Sequence, residues 1–158
     1  MLELVAGHPV RNLAPDEVLI AEGDAGGVLF VLLDGALRVE KNGAPIAVIA
    51  DAGACVGELA LLLGVPATAH VVAVAPSRVA VVDDAARVLA EHPDLALALA
   101  RVLAARLQRM TTYLADLQNQ YADHEGGLGM VDVVLGSLMH RSETRSELGS
   151  ERDPHPEY

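Results

Sequence analysis

Between residues 16 and 83 the apolar side chains come in short runs, each stopped by a glycine or proline turn. Glu17–Ala21 ends at Glu22-Gly23-Asp24. Val28–Leu33 lies between Gly26-Gly27 and Asp34-Gly35. Ala36–Lys41 alternates, with Leu37 and Val39 on one face and Arg38 and Glu40 on the other. Asp34-Gly35 and Asn42-Gly43 both read as hairpin dipeptides, because a tight turn that follows strand twist needs φ > 0. Pro45–Ala50, Val71–Val74 and Val79–Val82 supply further strands, the last two split by Ala75-Pro76-Ser77. Many short strands with glycine turns predict a mainly β jelly-roll barrel.

One segment breaks the pattern. Residues 57–64, GELALLLG, are helix formers set among strands. From Asp83 onward the pattern turns helical. Asp83-Asp84 are placed to cap a short helix through Glu91, and His92-Pro93-Asp94 breaks it and starts another. That second helix is expected from Asp94 to about Asp123. Leu103, Leu107, Met110, Leu114, Leu117 and Tyr121 recur on it at spacings of 4, 3, 4, 3 and 4, a heptad seam. A helix of about 45 Å outruns one barrel, so the seam is expected to make a homodimer; packing on its own barrel is the competing reading. Gly126-Gly127 ends the helix. Residues 128–139 fit one more short amphipathic helix, and 141–158 read as a disordered polar tail. The expected division is therefore a jelly-roll domain with its short helix over 1–92, a long dimerisation helix over 93–123, a short accessory helix over 124–140 and the tail.

Composition removes several kinds of function. The single cysteine, Cys55, makes no internal disulfide and no cysteine-based metal cluster, and a cytoplasmic setting is expected. Six histidines occur without an HxH or HExxH pair, so no metal site is expected. A charge of −11 argues against wrapping nucleic acid by counterion release. No signal peptide and no apolar span of about 20 residues is visible, so no membrane contact is expected. No nucleophile elbow or other catalytic set occurs, and the chain is not expected to be an enzyme.

The order of strands, a short helix inside a loop, more strands, then a short and a long helix resembles the cyclic nucleotide-binding domain of the catabolite-activator and protein-kinase-A regulatory type. Glu22-Gly23-Asp24, Asp34-Gly35 and above all GELALLLGVPATAHVVA at 57–73 carry the resemblance, which covers roughly residues 10–121. In that family the last segment is the phosphate-binding cassette. The resemblance implies a ligand site built on Gly57, Glu58, Leu59, Ala60, Ala67, Thr68 and Thr111, with a cyclic nucleotide such as cyclic AMP or cyclic GMP as ligand and no other cofactor. Gly57 lets the chain turn close to a ligand. The N–H groups of Glu58, Leu59 and Ala60 open a helix, where anions are favoured. Glu58 would accept a hydrogen bond from a ribose 2′-hydroxyl, or serve simply as an acid at a helix N-terminus.

The departure from the family pattern falls at its phosphate-binding arginine, which is Ala67 here. A methyl group cannot replace a bidentate guanidinium. No basic residue nearby in sequence compensates: Arg78 lies across a turn, and His70 offers one N–H if neutral. His70 is read either as a satisfied surface histidine or, with Thr68, as a weak substitute donor. At the base end, Met110 and Thr111 stand where relatives carry two hydroxyl residues, with Met110 also a seam position. About 36 residues follow Ala122, too few for a winged helix-turn-helix, so no direct DNA binding is expected.

The resulting expectation is a stand-alone, non-enzymatic regulatory module, dimeric, with weakened or altered cyclic nucleotide binding and its output read by an effector protein. Ligand binding would order the cassette and shift the hinge at residues 91–94. The alternatives are a degenerate interaction scaffold, with its pocket filled by apolar side chains from 59–65 or with its acidic surface and 128–139 helix docking a partner, or a receptor for a different small molecule.

Overall fold

The computed structural model describes residues 1–121. After a 3-10 turn at Leu2–Val5 come strands β1 (Val10–Leu13), β2 (Val18–Ile20), β3 (Leu29–Asp34), β4 (Leu37–Lys41), β5 (Ala44–Ile49) and β6 (Cys55–Val56). Helix α1 (Glu58–Leu63), strands β7 (His70–Ala73) and β8 (Ser77–Val82), and helices α2 (Ala85–Glu91) and α3 (Pro93–Tyr121) follow. A compact unit runs from Met1 to Arg106, and a second begins at Leu107, within α3. The expected accessory helix over 124–140 and the tail lie outside the described residues.

The strands form two antiparallel four-stranded sheets, ordered β1-β8-β3-β6 and β2-β7-β4-β5. This is the expected jelly-roll. One local expectation fails. Asn42-Gly43 does close a hairpin, between β4 and β5, with φ of 52° and 75°. Asp34-Gly35 does not, because β3 and β4 belong to different sheets. It is a corner that hands the chain across the barrel. Gly35 is needed there: its φ is 94°, and a Cβ would lie 2.3 Å from Ser77 Oγ. The buried Ser77 hydroxyl accepts from the Ala36 N–H at 3.0 Å and ties this corner to the start of β8. Pro45 sits on β5, an edge strand, where a missing N–H is tolerated.

Two apolar clusters share a wall. The inner one joins Leu13, Leu19, Ile20, Leu32, Leu37, Val56, Val71, Ala73 and Val79 between the sheets. The other joins Leu29, Val31, Cys55, Ala80 and Val82 to Val5, to Ala85 and Val88 of α2, and to Leu95 and Leu99 of α3. β3 and β8 thus bury both faces, which is why VLFVLL reads as an unbroken apolar run rather than an alternation. On β4 the alternation does hold: Leu37 and Val39 meet the inner cluster, while Arg38 and Glu40 pair at 2.5 Å.

The helices follow the punctuation, with one correction. Asp84 precedes α2 but does not cap it through its carboxylate; it adopts φ 47° and its Oδ2 accepts from Arg87 Nε at 2.7 Å. α3 starts on Pro93, a first-turn position where the missing N–H costs nothing. Leu95 and Leu99 anchor its first turns in the outer cluster, and Leu103 packs against the same cluster. Farther along, Leu107 is 49% and Met110 60% exposed. No helix of the described residues is long and apolar enough to cross a membrane.

Cys55 lies in the shared wall with no exposed surface. Burial, aided by the nearby Glu58 carboxylate, pushes its thiol up to about 11 from 9.0. The unfolded chain loses this proton at the lower value while the folded one keeps it. Stability should therefore fall as pH rises from about 9 towards about 11, by about 2 kcal/mol. Denaturant melts across that range check the slope. A thiolate-selective reagent at neutral pH should leave the native chain unlabelled and modify Cys55 only on unfolding.

Candidate functional site

The site is built around α1, which interrupts the barrel between β6 and β7. Gly57 sits before the helix at φ 89°, and a Cβ there would lie 2.6 Å from the Val28 carbonyl oxygen. The glycine is thus required by a close approach of the protein's own backbone at β3, and not only by room for a ligand. α1 has no side-chain cap on its first turn, which leaves amides of that turn for water or an anion. Gly64 at φ 65° ends the helix, donating its N–H to the Ala60 carbonyl.

Glu58 is 5% exposed. A buried carboxylate needs a counter-charge, and Arg106 of α3 supplies it, donating from Nη1 to Glu58 Oε1 at 2.5 Å. Arg106 Nη2 also donates to the Cys55 carbonyl oxygen. One guanidinium therefore holds both sides of Gly57: the end of β6 and the start of α1. No described donor reaches Glu58 Oε2, and that oxygen is not sealed from solvent. Arg106 is the residue of this site that the sequence pattern does not single out. It stands 48 residues from its partner, and only the need of a buried Glu58 for a cation could have signalled it.

Ala67 is pinned from both sides of its peptide. Its N–H donates to the Asp24 carbonyl at 2.9 Å, and its carbonyl accepts from Gly23 at 2.7 Å. Its methyl packs against the inner cluster. Thr68 beside it is exposed. His70 Nδ1 accepts the Glu22 N–H at 3.1 Å, so this histidine is satisfied structurally and leaves only Nε2 as a donor. It fastens the same Glu22-Gly23-Asp24 turn that clasps Ala67.

The site residues named from sequence fall into three groups. Gly57, Glu58, Leu59 and Ala60 come together at the start of α1, with Glu58 and Ala60 buried. Leu59 contributes its backbone, since its side chain is 52% exposed. Ala67 and Thr68 follow on the loop to β7. Thr111 belongs to the second unit, where its hydroxyl donates to the Leu107 carbonyl at 2.9 Å, keeping its oxygen as an acceptor. The apolar side chains of 59–65 do not fill the barrel, the arrangement that one of the two forms of the scaffold alternative requires. Leu59, Leu62, Leu63 and Val65 are exposed, and Leu61 packs on the outer cluster. Among the described residues no group of three or more His, Cys, Asp or Glu is arranged to hold a metal ion.

The described chain is thus a two-sheet jelly roll with a short helix between β6 and β7 that carries a buried glutamate at its start. The chain belongs to the cyclic nucleotide-binding domain family, whose pattern matches residues 10–89. It is 38% identical over 64 residues to a cGMP-dependent protein kinase of Plasmodium berghei (strain Anka), a stretch that is 40% of this chain and 7% of that protein. Its fold is similar to the N-terminal domain of a transcriptional regulator from Streptomyces coelicolor A3(2), with a TM-score of 0.53 and 29% identity over 68% of this chain and 81% of that one. The catabolite activator protein of Thermus thermophilus shares the fold at a TM-score of 0.59 and 24% identity, over 73% of this chain and 57% of that one.

Proposed function

We propose that this regulatory domain binds a cyclic nucleotide weakly at α1 and acts without catalysis of its own. The observation that carries the reading is the pairing of a retained glutamate with a missing cation. Glu58 keeps one free oxygen beside an uncapped helix start, the arrangement needed for a ribose hydroxyl and a phosphate. Ala67, held in place by Gly23 and Asp24, presents only a methyl group where the family's arginine would stand. The family match and the similarity to a cGMP-dependent protein kinase support cyclic AMP or cyclic GMP as ligand classes. In this reading α3 makes a homodimer through Leu107, Met110, Leu114 and Leu117, and the output is read by an effector protein. The setting is cytoplasmic.

Calorimetric titration of the unmodified chain with cyclic AMP and cyclic GMP tests this. Saturable heat is expected only towards about 1 mM ligand, equivalent to about 4 kcal/mol. Silence throughout that range would leave the second reading, a scaffold without ligand, which the packing of Ala67 on the inner cluster favours. A receptor for an uncharged small molecule would give the same silence with cyclic nucleotides.

A further inference from the structure

We infer that the outward face of α1, with the bend that follows it, docks a basic amphipathic helix of an effector protein. Leu59, Leu62 and Leu63 are spaced i, i+3 and i+4, so they share one face of the helix. They are 52%, 52% and 67% exposed, and Val65 beyond Gly64 is 37% exposed. The opposite face is already spent: Ala60 is buried and Leu61 packs on the outer cluster. A contiguous apolar face rimmed by charge is the mark of an interaction surface, and its helical spacing suits a second helix laid against it.

The rim decides the partner's chemistry. The 22–27 loop abuts α1: a Cβ on Gly26 would lie 3.0 Å from the Ala60 carbonyl group. That loop carries exposed Glu22 and Asp24. α2 also packs against α1 and is bonded to the same loop through Ala85 N–H and the Gly27 carbonyl at 2.9 Å. It brings exposed Asp83, Asp84 and Glu91. The one arginine of these segments, Arg87, is already paired with Asp84 at 2.7 Å and Glu91 at 2.9 Å. The cation nearest in contact, Arg106, is taken by Glu58. A second copy of this chain would bring the same acidic rim against itself, which like-charge repulsion disfavours. A helix with leucines on one face and lysines or arginines along its edges matches both the apolar stripe and the rim. The inference rests on the regulatory reading only in requiring an effector; it does not require a bound nucleotide.

The test uses the full chain and a fluorescent peptide of about 18 residues, about 27 Å of helix, with Leu on one face and Lys on the other. A second peptide carries Glu in place of every Lys. Anisotropy should saturate with the Lys peptide and be weaker by at least about tenfold with the Glu peptide. Leu62→Gln with Leu63→Gln should weaken the Lys peptide by about tenfold as well, and amide shifts on the unmodified chain should cluster on residues 59–66. Equal binding of both peptides, no response to the leucine changes, or shifts elsewhere would overturn the inference. So would conversion of a dimer to a monomer by the same two changes, which would make the face a self-contact. Nucleotide titration of the unmodified chain reports on the ligand reading separately, so the two can fail independently.

Discussion

Ala67→Arg should raise the affinity for cyclic AMP or cyclic GMP by between about tenfold and about a thousandfold, because each charge-assisted hydrogen bond to the phosphate contributes roughly 1.5–3 kcal/mol. The position suits the change. Its backbone is fixed by Gly23 and Asp24, so a new side chain cannot relocate the loop, and the residue is only half-buried. Parallel calorimetry on the two chains measures the gain. Equal affinities would remove Ala67 as the cause of weak binding. Binding seen only after the change would mean that the natural chain is not a cyclic nucleotide receptor.

Arg106→Met should destabilise the fold by about 3–5 kcal/mol. The cost does not measure the strength of the ion pair. It arises because the Glu58 side chain, 7% exposed, would be left as an uncompensated buried charge. Combining it with Glu58→Gln should restore most of the loss, since a neutral amide needs no counter-ion. Urea melts of the two single variants and the double variant form a closed cycle. A loss below about 1 kcal/mol for the arginine change alone would show that water already solvates Glu58 well enough to do without its partner.

How much of this was legible in the sequence depends on how local each cause is. Asn42-Gly43 announces its hairpin because the two adjacent residues both adopt positive φ. The alternation on β4 and the proline at the head of α3 are equally local. Asp34-Gly35 carries the same turn chemistry, yet whether the next strand stays in the sheet depends on β8 pairing with β3, more than forty residues downstream, as in Val31 opposite Ala80. Strands β1 and β6 had no signal of their own: Cys55–Val56 is a strand only because Phe30 and Val31 lie beside it. The cassette was legible as a motif, and its glycine as a tight place. The identity of the tight neighbour, the Val28 carbonyl, was not. Nor were the long-range fasteners, Arg106 to Glu58 and His70 to the Glu22 backbone, each 48 residues apart, because single side chains reaching across a fold leave no periodicity.

The wall shared by the two apolar clusters limits how this sequence can change over time. β3 sends Leu32 to the barrel and Leu29 and Val31 to the helices from one backbone. A larger side chain at Leu32 cannot be relieved by moving the strand, since the move would open a void under α2 and α3. The barrel interior and the helical cap are therefore not free to drift as separate inventories. Compensation must arise within the same layer, whereas the exposed face of α1, which shares neither cluster, is free to be rewritten for a new partner without touching the fold.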